Sequence, residues 1–470
     1  MKLAKPTVGP IVGYTTQNEA RIWFRGQFEP GPNGYRRCFG VVLWQEKGAP
    51  KTSRQMKIGK MSPNFDVTGV FPLLGLKPDC EYEYWAGWFL ADSELDAARA
   101  IPQFDWDALD ISIFRTGTDK REAVRSYAVG SCRYLLRLFG GLIFDDRGDK
   151  TFEAILNQHE SAPLHGLLMI GDQIYADDLN VLLPDVKLDS FLSRYRAAFS
   201  QQHVARLMSR VPTYMILDDH EIEDNWPIKA TAKDMTTTYP HAIHAYQIYQ
   251  ASHSPVFELD DEGWVTGTPP RFWYTFSDGC ADWFVMDVRT ERIWDVDNPQ
   301  RRKMVKQAQM VALLAWLSDK PERVKMVVSS VPFMPDLTSD SDDKWGAYLP
   351  ERTQVLDHIR TKKIRKVCFV SGDVHCSFTS QLTSPDDSEF KVFSIISSSF
   401  FWPYPHMEKN DFVLTGELTT TGTHRYEVGQ ASPIYSVDNF ARLDVAPSGI
   451  LVTYFGRKGE VLGEQVKLEF

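Results

Sequence analysis

Five apolar stretches of this 470-residue chain are each followed directly by side chains that can bind a metal or transfer a proton. Each stretch has the composition of a buried strand, and the polar residues stand where the strand would end. Because ligands of open α/β sheets bind beyond the carboxyl ends of the strands, we expect these side chains to converge. The five runs are Gly130-Ser131-Cys132-Arg133, 171–178 (which includes Asp172 and Tyr175), Asp218-Asp219-His220-Glu221, Asp287-Val288-Arg289 and Ser371-Gly372-Asp373-Val374-His375.

Each of these residues taken alone has an ordinary structural explanation. An Asp after a strand is most often a helix cap or a turn former, and a lone Cys is most often a small buried hydrophobic residue. The run from Asp218 to Glu221 is different. Its three carboxylates surround one imidazole at a buried strand end, which is unfavourable without a cation. Taken together, the five strand ends predict a metal site that the fold itself assembles.

The mixture of ligand types predicts two metals of unlike character. Asp, Tyr, Cys and His together are too varied for a structural zinc site, which prefers closely spaced Cys and His. A thiolate at Cys132 or a phenolate at Tyr175 needs a strong Lewis acid to stay deprotonated near neutral pH. Hard carboxylate oxygens suit a second, calcium-like ion, and an Asp at the centre would be able to bridge both metals.

Charge, hydropathy and cysteine content indicate which class of ligand to expect and where in the cell to expect the protein. The chain has 52 Lys and Arg against 62 Asp and Glu, a net charge of −10, which argues against nucleic-acid or anionic-lipid surfaces. A small anionic ligand would then need a local positive charge such as a bound metal. No apolar segment reaches the length of a membrane span, and the first residues do not form a secretory signal. With six cysteines and no CxxC unit, we expect a cytoplasmic protein with reduced thiols, exported only if a signal has been removed.

Two regions with different periodicity must position these residues. The first ~115 residues alternate short apolar runs with Gly, Pro and Asn turns, which is typical of a β-sandwich. From about residue 120, buried strands alternate with helical periods, which is typical of a layered α/β domain. Polar insertions near 231–270 and 335–350 interrupt this alternation. Strands are predicted at 125–129, 167–170, 213–217, 283–287, 325–331, 367–370 and 392–396, and helices at 150–159, 189–210, 301–317 and 352–360.

The ordered motifs resemble those of the PhoD-like (alkaline phosphatase D) branch of the calcineurin-like metallophosphoesterases. The resemblance covers the whole chain and implies an immunoglobulin-like β-sandwich at 1–118, followed by a four-layered α/β/β/α catalytic domain at 119–470. Beyond the five strand-end runs, it rests on Phe114-Arg115-Thr116, Trp345-Gly346-Ala347-Tyr348, Glu351-Arg352 and the closing run 439–445.

The resemblance also implies roles for individual residues. Cys132, Asp172 and Tyr175 resemble iron ligands, with Asp172 bridging to a second metal, calcium. Asp219 resembles a ligand of the second metal, where other metallophosphoesterases carry Asn. The remaining expected roles are a final ligand pair at Asp373 and His375, a catalytic imidazole at His220, a phosphate contact at Arg289 and a substrate contact at Trp345.

We therefore expect metal-dependent hydrolysis of a small-molecule phosphoester, with metal-activated water attacking phosphorus. Two alternatives stay open at this point. One is a phosphodiesterase that uses the same centre, and the other is a metal-containing binding or scaffold protein that has lost its chemistry. For Arg289, the alternative to a phosphate contact is a structural ion pair with a nearby carboxylate.

Overall fold

The computed structural model describes residues 2–31, 34–135, 137–138, 143–177, 185–339 and 341–470. Its N-terminal strands are β1 Val8–Thr15, β2 Glu19–Arg25, β3 Arg37–Glu46, β4 Gln55–Met61, β5 Thr68–Leu74, β6 Glu81–Ala91 and β7 Ser112–Arg115. They form a three-stranded sheet, β1-β2-β5, and a four-stranded sheet, β4-β3-β6-β7. All the pairings within these two sheets are antiparallel.

The period of two along β3 explains how this β-sandwich packs. Cys38 and Val42 lie in the core between the two sheets, whereas Phe39 and Val41 lie in a second core on the outer face. Successive side chains of a strand alternate between its two faces, so one apolar strand supplies both cores. Helix α1, Glu94–Ala100, covers the outer core.

The rest of the chain forms two larger sheets. Their strands are β8 Arg125–Gly130, β9 Gly166–Met169, β10 Thr213–Met215, β11 Tyr274–Asp278, β12 Ala281–Val285, β13 Val324–Ser329, β14 Val367–Ser371, β15 Phe378–Ser384, β16 Asp387–Ile396, β17 Gly416–Glu417, β18 Glu427–Gln430, β19 Asn439–Ala446, β20 Gly449–Gly456 and β21 Val466–Glu469. The six-stranded sheet has the order β10-β9-β8-β19-β20-β21, and the eight-stranded sheet has the order β11-β12-β13-β14-β16-β15-β18-β17. The strands β8 to β10 are parallel, and so are β12, β13, β14 and β16.

These sheets pack on each other and are covered by helices, which gives the expected α/β/β/α layers. Along β12, Ala281 and Trp283 face the core between the sheets, while Phe284 faces the core under the helices of the eight-stranded sheet. The helices are α2 Arg147–Ser161, α3 Leu188–Phe199, α4 Gln202–Met208, α5 Thr238–Tyr249, α6 Gln307–Ser318 and α7 Leu349–Thr361. Helices α6 and α7 cover the eight-stranded sheet, and α2 to α5 belong to the larger hydrophobic cluster, which also contains the apolar residues of the six-stranded sheet. Two-residue strand pairs lie at Pro30–Gly31 with Gly34–Tyr35, Arg137–Leu138 with Ile143–Phe144, and Glu258–Leu259 with Val265–Thr266.

The seven strands predicted in this region are present, but one predicted helix is divided and one predicted polar insertion contains a helix. The helix expected at 189–210 is divided into α3 and α4, because Asp149 of α2 accepts hydrogen bonds from the backbone N–H groups of His203 and Val204 at the start of α4. The polar insertion at 231–270 contains the largely buried helix α5. Pro240 reads as a helix breaker, but it lies in the first turn, where no intrahelical donor is required.

The β-sandwich packs directly on the larger region. The Trp23 indole of β2 is fully buried against Tyr249 at the end of α5, and its Nε1 donates to the carbonyl of Ile248 at 2.9 Å. Arg21 donates to the carbonyl of Ser254 at 2.6 Å, and the Tyr214 hydroxyl donates to that of Thr15 at 3.1 Å. In the part of the chain that the structure describes, no helix is long and apolar enough to cross a membrane.

Candidate metal centre

The carboxyl ends of the two sets of parallel strands meet at one place. Cys132 follows β8 and Asp172 follows β9, and these neighbouring loops are joined by hydrogen bonds from the Cys132 N–H to the Gly171 carbonyl, at 3.1 Å, and from the Arg133 N–H to that of Asp172. The second sheet contributes Asp373 after β14. Its N–H donates to the Ser131 hydroxyl at 3.2 Å, which links the strand ends of the two sheets.

Four of the predicted ligands have left-handed backbone conformations. The φ angles are 55° at Cys132, 55° at Asp172, 71° at Asp373 and 48° at His375. Such conformations cost non-glycine residues on the order of 1–3 kcal/mol and persist where the surrounding structure imposes them, often at functional sites. Gly171 has a φ of 118°, and a Cβ atom there would lie 2.6 Å from the Cβ of Asp218.

The donor atoms of these residues form three overlapping groups. Within each group one donor atom from every residue lies within 4.8 Å of the others. Asp172 belongs to all three, so its carboxylate is the shared member. The groups are Cys132 with Asp172 and His375, Asp172 with Asp219 and His220, and Asp172 with Asp218, Asp219 and Asp373.

Unpartnered polar atoms indicate that a cation fits here. Among the described residues, Asp172 Oδ1, Asp218 Oδ2 and His375 Nε2 are buried without a hydrogen-bond partner. The other Asp172 oxygen, Oδ2, lies 3.3 Å from the Cys132 sulfur and 3.4 Å from the Tyr175 hydroxyl. Buried polar groups are normally satisfied, so this set of thiol, phenol, imidazole and carboxylate donors fits bound metal.

The electrostatics of the cluster support the same conclusion. Burial raises the pKa of the Cys132 thiol, the Asp172 carboxyl and the Tyr175 phenol well above their usual values, and nearby carboxylates raise each pKa further. Burial also lowers the pKa of His375 well below 6.5. At neutral pH the thiol, the carboxyl and the phenol can be anionic donors only if a cation lies beside them, whereas the His375 imidazole is already a neutral donor.

His220 is held by its own hydrogen bond at the edge of the cluster. Its Nδ1 lies 2.8 Å from Asp177 Oδ2, and its ring packs on Tyr175 with centroids 4.3 Å apart. Burial acts to lower the pKa of His220, but the carboxylates of Asp219, Asp172 and Asp177 outweigh it and raise this pKa well above 6.5. The imidazole therefore carries a proton readily.

Arg289 is fully buried and lies among four carboxylates. Nη2 donates to Asp343 Oδ2 at 2.9 Å, Nη1 donates to the same carboxylate, and Nε donates to Asp218. Longer ion pairs of 3.3 and 3.8 Å join Nη2 to Asp219 and Asp373. The predicted contact with a phosphoryl group would thus require the guanidinium to exchange one of these partners.

The structure gives Trp345 a different position from the expected substrate contact. Its side chain is fully buried, its ring packs on Phe333 at 5.1 Å, and its Nε1 donates to the Ser329 hydroxyl at 3.1 Å. A side chain with no exposed surface cannot meet a ligand from solvent. Trp345 instead anchors the loop that brings Asp343 and Lys344 to the cluster.

Some residues of the site do not follow a predicted strand, so the sequence pattern does not identify them. Lys344 Nζ lies 2.9 Å from Asp343 Oδ2 and also contacts Asp373. Trp402 stacks on His375 with ring centroids 3.7 Å apart. These residues come from irregular segments, where neither period nor strand ends mark them. The sequence predicts their partners Asp373 and His375, which belong to the strand-end run Ser371–His375, but not Lys344 and Trp402 themselves.

The fold is similar to that of a solved structure, PhoD. The chain matches the structure of PhoD with a TM-score of 0.72 and 16% identity, over 98% of this chain and 89% of that one. At this identity the likeness shows the fold. GAP50 of Plasmodium, described as the anchor in the inner membrane complex, matches at 12% identity over 74% of this chain and 90% of its own, with a TM-score of 0.42. A predicted phosphoesterase from Streptococcus pneumoniae TIGR4 matches at 9% identity over 74% of this chain and 99% of its own, with a TM-score of 0.26. The TM-scores of these last two matches are too low to support a conclusion about the fold.

Comparison with protein families gives the assignment. No curated protein matches the chain. The family model described as PhoD-like phosphatase matches residues 145–426, which is more than half of the 470 residues. Of the predicted site residues, only Cys132 lies outside this range. The chain belongs to the PhoD-like phosphatase family.

Proposed function

We propose that this protein hydrolyses phosphoesters at a binuclear metal centre that shares the carboxylate of Asp172. Membership of the PhoD-like phosphatase family supports a metal-dependent phosphoesterase. The observation that carries the binuclear proposal is the presence of Asp172 in all three donor groups. A carboxylate has two oxygens, so it is able to serve two ions at once.

The donor types divide the proposed centre into two unlike sites. Cys132, Tyr175 and Asp172 would hold the first metal, with His375 completing the set. A thiolate and a phenolate need a strong Lewis acid to stay deprotonated, which suits Fe³⁺. The oxygens of Asp172, Asp219 and Asp373 would hold the second metal and suit Ca²⁺. When bound, such metals supply Lewis-acid chemistry, which polarises phosphoryl oxygens and lowers the pKa of coordinated water.

His220 is the proposed proton donor to the leaving group. The hydrogen bond between Nδ1 and Asp177 orients the ring and leaves Nε2 as the nitrogen for proton transfer. The negative charge of Asp177 stabilises the protonated imidazole, which matches the raised pKa of His220. A proton at Nε2 would serve the departing oxygen or would hydrogen-bond an equatorial phosphoryl oxygen.

Arg289 is proposed to position the carboxylates of the centre. Its ion pairs with Asp218, Asp219, Asp343 and Asp373 offset the mutual repulsion of these groups. This holds Asp219 and Asp373, the proposed ligands of the second metal, in fixed relative positions. A direct contact with the substrate phosphoryl group stays a second proposal for the same side chain.

Metal analysis combined with two substrates tests the proposal. We expect two metals per chain, a coloured protein if thiolate or tyrosinate binds Fe³⁺, and hydrolysis of an aryl phosphate that chelation abolishes and added metal restores. Asp172→Ala should lose metal and activity together, whereas the exposed Asp261→Ala should retain both. Faster turnover of an aryl phosphodiester would indicate a phosphodiesterase. Bound metal with no turnover of either ester would contradict the proposed function.

A further inference from the structure

An aromatic surface extends from the proposed centre to solvent. It consists of Tyr134, Trp402 and Tyr404, which we call the aromatic platform. Trp402 stacks on His375 with planes 13° apart, and Tyr404 packs on Trp402 at 5.2 Å and on Tyr134 at 6.0 Å. The exposure of the three side chains increases from the centre towards solvent: Tyr134 is buried, Trp402 is half-buried and Tyr404 is 43% exposed.

The platform lies on the side where the centre is accessible. Cys132, Asp172 and Asp219 are buried, whereas Asp373 and His375 are partly exposed, with 10% of the Asp373 side chain accessible to solvent. Among the described residues, Asp373 and His375 thus form the more exposed side of the centre. For a substrate that approaches from this side, the group attached to its phosphoryl oxygen would remain outside them. Trp402 stacks on His375, so this group would lie against the platform.

The segment that carries Trp402 and Tyr404 is held in place before any ligand binds. Trp402 N–H donates to Asp438 Oδ1 at 2.9 Å, and its indole Nε1 donates to the Pro405 carbonyl at 3.3 Å. His406 Nδ1 lies 2.7 Å from the carbonyl of His375, which joins the end of the segment to the proposed ligand. Fixed aromatic rings lose little conformational entropy on binding, so stacking against them is effective.

We propose that the aromatic platform is a leaving-group subsite for phosphoesters whose alcohol carries a flat aromatic ring, as in a nucleoside phosphate. The inference rests on the proposed function for the position of the phosphoryl group. Bases stack on aromatic side chains largely without regard to sequence, because every base has a π face. Alkyl phosphoesters have no such face and would gain nothing from the platform.

Two substrates with the same reacting alcohol isolate this contribution. Adenosine 5′-monophosphate and ribose 5-phosphate both release a primary ribose hydroxyl, so their chemical reactivity is matched. We expect a higher kcat/KM for the nucleotide. We also expect Tyr404→Ala to lower the preference for the nucleotide over the sugar phosphate by about 10-fold. Tyr404→Phe should retain the preference, and so should Phe65→Ala, which removes an exposed aromatic side chain from the β-sandwich.

Binding of adenosine gives a readout that needs no hydrolysis. Equilibrium dialysis with the metal-loaded protein should show adenosine binding that Tyr404→Ala weakens and Tyr404→Phe preserves. Equal kcat/KM for the two esters, with no effect of Tyr404→Ala on adenosine binding, would overturn the subsite and leave the phosphoesterase intact. If neither ester is hydrolysed, the aryl phosphate and aryl phosphodiester decide whether the proposed function fails, and adenosine binding alone decides whether the platform is a subsite.

Discussion

His220 occupies a position from which either of two roles is possible, and one substitution separates them. It belongs to a donor group with Asp172 and Asp219, yet its Nδ1 is taken by Asp177. As a proton donor, it should be needed for turnover and not for metal loading. We expect His220→Ala to lower kcat by about 10²–10⁴-fold with metal content near that of the wild type.

Elemental analysis of the same preparation checks this prediction. Asp177→Asn is the matched variant, because it keeps the shape of the partner and removes its charge. It should lower kcat less than His220→Ala does. Loss of a metal from His220→Ala would instead identify the imidazole as a ligand, and the assignment as proton donor would then be wrong.

Arg289→Lys tests whether Arg289 positions the carboxylates of the centre or contacts the substrate. Lysine keeps the positive charge but cannot reproduce the forked contacts to Asp343 and Asp218. Because both carboxylates are fully buried, we expect a lower Tm, equivalent to a loss of about 1–3 kcal/mol in the free energy of unfolding. Thermal unfolding and kcat/KM should be measured on one preparation. An unchanged Tm with kcat/KM lowered by a comparable free energy would show that the guanidinium contacts the substrate instead.

The sequence predicts those residues of the candidate centre that directly follow a strand. The runs after β8, β9, β10 and β14 supply the donors that meet around Asp172, because parallel strands bring their carboxyl ends together. The contributions of Asp343, Lys344 and Trp402 could not be predicted in this way. Their positions depend on how irregular segments fold over the sheet edge, and a single sequence contains no periodic signal for that.

At the scale of elements, Glu221 ties two strand-end loops together. Its carboxylate accepts hydrogen bonds from the backbone N–H groups of Asp172, Gln173 and Asp218, at 3.1, 2.7 and 2.8 Å. Gln250, just after helix α5, donates a further hydrogen bond at 3.0 Å. The loops after β9 and β10 are thereby fixed relative to each other, together with the proposed ligands that they carry.

Removal of this carboxylate should disturb both loops. In Glu221→Ala, buried backbone donors would lose their acceptor, and we expect the free energy of unfolding to fall by about 3–5 kcal/mol. Metal affinity should fall with it, because Asp172 and Asp219 lose their fixed geometry. Urea unfolding and metal titration measure the two effects. Glu223→Ala, which removes a half-buried carboxylate two residues away, is the control, and equal losses in both variants would contradict the role of Glu221.

Strands were easier to predict than the arrangement of the strands. Buried runs such as Trp283–Val285 are apolar on both faces, which indicates a strand that is covered on two sides. Because both faces of such a strand are apolar, the sequence does not indicate which face contacts the other sheet and which contacts the helices. The sheet order is also invisible locally, because β8 pairs with β19 from the opposite end of the chain.

At the scale of the whole molecule, the predicted boundary at residue 118 separates two parts that share a buried interface. Besides the contacts of Trp23 and Arg21, Asp66 of the β-sandwich forms an ion pair with Arg196 of α3 at 3.1 Å. The Tyr84 hydroxyl of β6 donates to the carbonyl of Ser209 at 2.7 Å. Separation of the parts would expose the Trp23 indole and leave buried polar groups without partners.

We therefore expect the β-sandwich and the rest of the chain to unfold in one cooperative transition. Calorimetry should give a single peak whose calorimetric and van't Hoff enthalpies agree. Trp23→Ala removes an interface side chain and should move this peak to lower temperature, because truncation of a buried Trp costs about 3–5 kcal/mol. Trp44→Ala removes a Trp from the core of the β-sandwich itself, and under full coupling it should move the same single peak. If Trp44→Ala instead splits the peak and leaves an upper transition at the wild-type temperature, the β-sandwich is an independent domain, and the interface does not couple the two parts.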